Sequence, residues 1–432
     1  MLQKREEKCF PSRSRKLSQS QKNPWLLLAV LCVAAGVSNI DIFGISYVAP
    51  FIETGLKLDN AQIGLLLSGF WLTFAISNYV SGEVADRHQN HKEFLVVVLV
   101  LFAFGSVLPA LASMFTTLLA ARLLMGIFDA GVYQLPQSIV VLDTPPERHG
   151  LNMGIVQNLG GALLGVVVAP LLLVHLATTY SWRAAFFVVA LPGLICAALV
   201  ARYVPSHRRR AGVRHEHGAA SKGLVRFGSA LRIRNVWLST LISCLMIGYM
   251  TITFGFLPLY LIKTAHFPAV RMGIVMSTMG LSGALLGVVL PAASDRMGRK
   301  PIMILSCLLG IGTPLAAMYY SGPLVGLCVL VFAGSAMVGA APLTYATIPC
   351  ESASPESTSS IIGFILALSA LVGGVVGPAA AGWIADRWGL GAPLYLAVAC
   401  CLINTASCVA LEESAPRLKK TGETTAAQRL TV

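Results

Sequence analysis

Residues 25–51 read WLLLAVLCVAAGVSNIDIFGISYVAPF. A helix needs about 20 mostly apolar residues to cross a bilayer. This stretch exceeds that length and carries a single charge, Asp41. It is too long for a secretory leader and has no small-residue cleavage site. Working outward, eleven more stretches of the same kind follow, at 61–82, 93–113, 115–141, 151–174, 184–204, 236–262, 272–294, 301–320, 324–347, 358–383 and 391–411. Glycine and proline punctuate many of them, as membrane helices tolerate. The expected fold is an all-α membrane protein with twelve transmembrane helices.

Composition points the same way. Of the 432 residues, 56% are hydrophobic and 12% charged, with a mean hydropathy of +0.73. Soluble domains carry roughly 25% charged residues, so a soluble enzyme is excluded. A net charge of +13 would suggest nucleic acid in a soluble protein. Here the placement of the charges matters more, and no nucleic-acid partner is expected. The cysteines fall mostly inside apolar stretches, where they behave as small hydrophobes. They form no metal or disulfide pattern. No nucleophile, metal cluster or phosphate loop suggests an enzyme, and no metal or cofactor is expected beyond a proton gradient.

Lys and Arg concentrate on the cytoplasmic side of membrane proteins. With both termini inside, 26 of the 32 basic residues fall in cytoplasmic segments, five in outer loops, and Arg122 inside a span. The expected location is therefore the cell (inner) membrane, multi-pass, with both ends cytoplasmic. Residues 1–24 form a basic N-terminal tail, 205–235 a basic linker bearing His207, His215 and His217, and 412–432 a C-terminal tail. The linker is too polar to pack a core.

An internal repeat organises the remainder. Gly82-x-x-x-Asp86-Arg87 closes the second span, and Pro291-x-x-x-Asp295-Arg296-Met297-Gly298-Arg299-Lys300 closes the eighth. The aspartates are 209 residues apart, and the same offset relates Pro146-Glu147 to Pro355-Glu356, Gly154 to Gly363 and Gly165 to Gly374. The chain is thus expected to form two pseudo-symmetric six-helix halves, 25–204 and 236–411. Parallel repeats of this kind build transporters that hold substrate near the midplane between the halves. The arrangement and the Asp-Arg-x-Gly-Arg-Lys turn resemble the major facilitator superfamily over nearly the whole chain. The first copy departs from the signature at Gln89, where glycine is expected. Gly82, Asp86, Arg87, Asp295, Arg296, Gly298 and Arg299 form the loop motif, and an Asp-Arg pair there could latch one of two alternating-access states.

Ionisable groups inside a span cost about 2.5–3.5 kcal/mol on insertion scales and are functional candidates by default. Three qualify: Asp41 in the first span, with Arg122 and Asp129 in the fourth. Arg122, Gly126, Asp129 and Tyr133 recur at helical spacing and share one face. Asp41 and this face can meet in one cavity. Arginine offers a fixed fork for a carboxylate, and an aspartate that alternates between charged and neutral can carry a proton. A static ion pair of Arg122 with Asp41 or Asp129 is the alternative. The Arg-x-x-x-Gly spacing resembles the superfamily's fourth-helix motif, which implies proton coupling. At the 209 offset Arg122 falls on Val331 and Asp129 on Val338, so the second half is expected to add shape and hydrogen bonds. Its polar candidates are Tyr249, Thr251, Thr253, Thr344 and Tyr345. Gln157 and Asn158 in the fifth span could line the cavity.

The run DIFGISYVAP resembles the first helix of organic-anion and aromatic-acid proton symporters, in which an Asp precedes a Pro by nine residues, as Asp41 precedes Pro50. Ser38 stands where the aromatic-acid group usually carries another Asp. The function implied is uptake of a small organic anion, a carboxylate, coupled to protons. The partners are that anion, protons and lipid, and a monomer suffices. Proton-coupled drug efflux is the alternative, but its Gly-Pro mark in the fifth span is missing, because Val166 follows Gly165. A membrane sensor would need a sizeable soluble domain, and the sequence offers none.

Overall fold

The structure, a computed structural model, describes residues 24–88, 91–143, 152, 155–204, 233–352 and 358–414. The loop and linker readings at Pro146-Glu147, Gly154, His207, His215, His217 and Pro355-Glu356 lie outside the described residues. So do both tails beyond those limits.

The described residues are almost all helical, in these helices: α1 (Pro24–Leu56), α2 (Asn60–His88), α3 (His91–Leu111), α4 (Phe115–Asp143), α5 (Leu163–Thr179), α6 (Trp182–Tyr203), α7 (Arg234–Lys263), α8 (Ala269–Met297), α9 (Arg299–Tyr319), α10 (Leu324–Ser352), α11 (Ile361–Trp388) and α12 (Ala392–Val409). Among the described residues, eleven helices are long and apolar enough to cross a membrane; α5 is the shorter apolar one. The sequence assigns a continuous span over 151–174. The structure instead winds Ile155–Gly160 and Leu163–Val168 as π-helical turns before an α-helix over Ala169–Thr179. The β-branched run Val166-Val167-Val168 and the paired glycines Gly160-Gly161 weaken regular helix there. Wide turns also occur at Leu343–Thr347 in α10 and Ala370–Val376 in α11.

Packing groups the helices along the chain. α2 packs on α4, α3 on α4 and α6, and α1 on α5 and α6. After the linker, α7 and α9 pack on α12, and α8 on α10. The most extensive contacts between the two groups, among the described residues, are α1 with α7, α2 with α11, and α5 with α8. Small residues permit these approaches. A Cβ on Gly280 of α8 would stand 2.4 Å from the Val166 carbonyl oxygen, and one on Gly64 of α2 would stand 2.4 Å from that of Pro378. Ser68 donates across the α2–α11 contact to the Val375 carbonyl at 2.6 Å.

The turn after α8 shows why its motif requires glycine. Gly298 sits at φ +102°, ψ 151°, a conformation open essentially to glycine alone. The turn carries Arg299 into a buried position, where it binds Glu351 of α10 at 2.8 Å and Asp295 at 2.7 Å. The bridge therefore stays among helices that follow the linker and does not cross to those before it. Arg296 is exposed. Gly82, Asp86 and Arg87 fall within α2, but their side chains lie outside the described part of the structure.

Candidate functional site

α1 and α4 bring the intramembrane charges together. Arg122 and Asp41 are both almost completely buried, with Nη1 3.5 Å from Asp41 Oδ2. The same Nη1 donates to the Asp41 backbone carbonyl at 3.5 Å. The guanidinium also lies over the Phe70 ring, 4.4 Å from its centroid. That face stabilises a buried cation further. Of the two ion pairs the sequence leaves open, the structure forms Arg122–Asp41.

Asp129 lies two turns along α4 and is also fully buried. It stands within electrostatic reach of Asp41, Arg122 and Ser38. Neither of its carboxylate oxygens finds a hydrogen-bond partner among the described residues, and the same is true of Ser38 Oγ and Arg122 Nε. Buried polar groups are nearly always hydrogen-bonded. Three neighbouring groups with spare capacity therefore mark a place where a ligand or protons can be received.

Gly126, between the two charges, is where α4 meets α2. A Cβ there would stand 2.2 Å from Thr73 Oγ1 and 2.5 Å from the Phe70 carbonyl oxygen. One turn beyond Asp129, Tyr133 packs edge-on against Phe74, their centroids 5.8 Å apart. It lies within electrostatic reach of Asp129 on one side and of Tyr345 on the other. Asp41, Arg122, Asp129, Tyr133 and Tyr345 are thus a line of successive electrostatic neighbours, in which α10 adds its tyrosine from a π-helical turn.

Other candidates are placed elsewhere. Tyr249 is fully buried and donates to the Gly310 carbonyl at 3.0 Å, between α7 and α9. Its hydroxyl is spent on helix packing, and the structure does not bring it to the charged cluster. Thr251 likewise donates to the Gly373 carbonyl at 2.9 Å, and Ser243 donates to Thr344 at 2.9 Å. Thr253 Oγ1 is buried with no partner among the described residues. Gln157 and Asn158 lie on the turn Ile155–Gly160, but their side chains are outside the described part. Sequence reasoning passed over Phe70 and Phe74, and it noted Ser38 only as a departure from a family pattern. The aromatic pair is spaced i, i+4 on α2, a pattern that core packing also produces, so spacing alone could not mark it.

The sequence model of the Major Facilitator Superfamily matches residues 31–374. A hexuronate transporter of Bacillus subtilis is 30% identical over 181 residues, 41% of this chain and 42% of that protein. The shared region is thus under half of either protein. A probable sulfoacetate transporter of Cupriavidus necator is 24% identical over 66% of this chain and 68% of its own. A probable 4-methylmuconolactone transporter of Cupriavidus pinatubonensis is 26% identical over 62% of each. Among solved structures, a mutant of the nucleoside transporter NupG superposes with a TM-score of 0.75 at 16% identity, covering 89% of this chain and 99% of that one. A bacterial homologue of the human lysosomal transporter Spinster, inward-facing and occupied, gives 0.73 at 17% identity, over 88% and 95%. These likenesses establish the fold. With the family match running over well more than half its length, the chain belongs to the Major Facilitator Superfamily, whose members are transporters and not enzymes.

Proposed function

We propose that this protein is a secondary active transporter that takes up a small organic anion together with protons, by alternating access. The observation that carries the reading is the charge balance of the buried cluster. Two carboxylates, Asp41 and Asp129, face one guanidinium, Arg122. An uncompensated charge in an apolar interior is very costly, so the cluster is balanced when it holds one proton. A substrate carboxylate that engages the Arg122 fork displaces Asp41, and Asp41 then binds a proton in its turn. Loading the anion and loading protons become one event. The Tyr133 and Tyr345 hydroxyls and the Phe74 ring shape the far side of the same line. The names of relatives support an organic acid as cargo, since hexuronate and sulfoacetate are both small anions.

In this reading the chain makes twelve spans in two six-helix bundles, 25–204 and 236–411, joined by the basic linker. α5 is the twelfth span. The Lys and Arg distribution orients both termini to the cytoplasm, in the cell membrane. The protein works as a monomer, with the proton gradient in place of a cofactor.

The test is reconstitution into liposomes containing a pH-sensitive dye, with aromatic and aliphatic carboxylates added outside. Internal acidification by one acid, absent in Asp41→Asn, is the expected result. If no acid acidifies the lumen and lipophilic cations drive protons the other way, the protein is an efflux antiporter.

A further inference from the structure

The last two turns of α11 and the residue that follows read Gly382-Trp-Ile-Ala-Asp386-Arg387-Trp-Gly389. Its spacing repeats Gly82-Glu-Val-Ala-Asp86-Arg87, and its close repeats Asp295-Arg296-Met297-Gly298. The structure makes the same turn at both described places. Gly298 and Gly389 are the glycines with positive φ among the described residues, at +102° and +83°. The two turns nevertheless sit at opposite ends of the helix bundle. α8 finishes at the end where α9 begins, and α11 finishes beside the start of α2.

There Asp386 does something its counterpart Asp295 does not. Its Oδ1 accepts from the Asn60 backbone N–H at 2.9 Å and from Asn60 Nδ2 at 2.8 Å, and its Oδ2 accepts from the Ala61 N–H at 2.9 Å. Asn60 and Ala61 open α2, where the first N–H groups of a helix have no partner of their own and the helix dipole favours an anion. Gly382 allows this approach, because a Cβ there would stand 2.4 Å from the Asn60 carbonyl oxygen. A second ion pair, Glu53 of α1 with Lys263 of α7, lies at the same end.

We infer that Asp386 is the clasp that holds the outer face of the transporter shut. A carboxylate from the second bundle caps a helix of the first, and it can do so only while the two are together on that side. When the outer face opens, the α2 N–H groups pass to water and the clasp is gone. The inference rests on the alternating-access reading above, but not on the nature of the cargo. It assigns the motif-like sequence at the end of α11 a role in setting which face is closed.

The test uses full-length protein in liposomes and an impermeant maleimide, with no substrate present. One reporter is Leu67→Cys, buried against Gly255 across the α2–α7 contact. The other is Gln137→Cys, one turn beyond Tyr133 on the same face of α4 and toward the inner end. Each is read against the parent with its native cysteines. Removing a helix cap is expected to shift the equilibrium about three- to tenfold. Asp386→Ala should therefore raise outer labelling of Leu67→Cys by that factor and lower inner labelling of Gln137→Cys. Unchanged outer labelling overturns the proposal, and so does a rise at both reporters, which would mean general loosening. If Asp386→Ala cannot be purified monodisperse, Asn60→Ala decides with the same reporters. It removes one of the three hydrogen bonds and should give a smaller change in the same directions; no change overturns the clasp. None of these outcomes depends on whether an organic anion is carried.

Discussion

Arg122 is the residue on which the site turns, and much about it is legible in sequence. A lone arginine in an apolar span, with Gly126, Asp129 and Tyr133 at helical spacing, announces a polar face. Its partner is less legible, because Asp41 and Asp129 are both a plausible distance away and pairing is decided by how α1 crosses α4. The aromatic floor under the guanidinium, Phe70 at 4.4 Å, is invisible without the fold. Lysine would keep the charge but lose the planar fork that fits a carboxylate. Arg122→Lys should therefore reduce anion uptake at least tenfold, in keeping with the loss of a charged hydrogen bond worth about 1.5–3 kcal/mol. Initial uptake rates, normalised to folded protein, measure this. Asp129→Asn makes the position permanently neutral. With the resident proton on Asp129 and the coupled one on Asp41, this variant should keep both anion exchange and anion-driven acidification, whereas Asp41→Asn should lose the acidification. Paired counterflow and dye measurements separate the two.

At the scale of the helix, glycines at close approaches make the sharpest predictions. Gly126 leaves no room for a methyl group against Thr73 and the Phe70 carbonyl. Gly126→Ala must push α4 from α2 and should destabilise the protein by about 1–3 kcal/mol, the usual range for overpacking. A lowered thermal midpoint in detergent would register it. Gly298→Ala is strained for another reason, its backbone lying at φ +102°, and should lose roughly 1–3 kcal/mol by the same measurement. Helix positions were largely legible because apolar length is a strong signal. The fifth span was the exception. Its π-helical turns at Ile155–Gly160 and Leu163–Val168 leave no mark in hydropathy, which counts residues but not residues per turn. The hydroxyl of Tyr249 donates to the Gly310 carbonyl, a direction the sequence does not show for a related reason. Composition shows that a tyrosine lies in a span, but not which of two neighbouring helices its hydroxyl will face.

For the molecule as a whole, the placement of the basic residues predicts the topology. A fluorescent protein fused after Val432 should fluoresce, and alkaline phosphatase fused after Lys57 should be active. The reverse pattern would invert the assigned orientation and, with it, the direction in which Asp386 closes the protein. The 209-residue offset in the sequence carries no information on the contacts between helices before and after the linker (α1 with α7, α2 with α11, α5 with α8). They arise from small residues such as Gly64 and Gly280, whose importance depends on what approaches them. The bond between Asp41 and Arg122 has a consequence for how the chain is made. The fourth span must carry an arginine out of the translocon, and its counter-ion lies in the first span, 81 residues earlier. The nascent protein should therefore retain its first span beside the insertion machinery until the fourth arrives. A chain with neutral residue 41 should integrate that segment less efficiently, well before any cargo is moved.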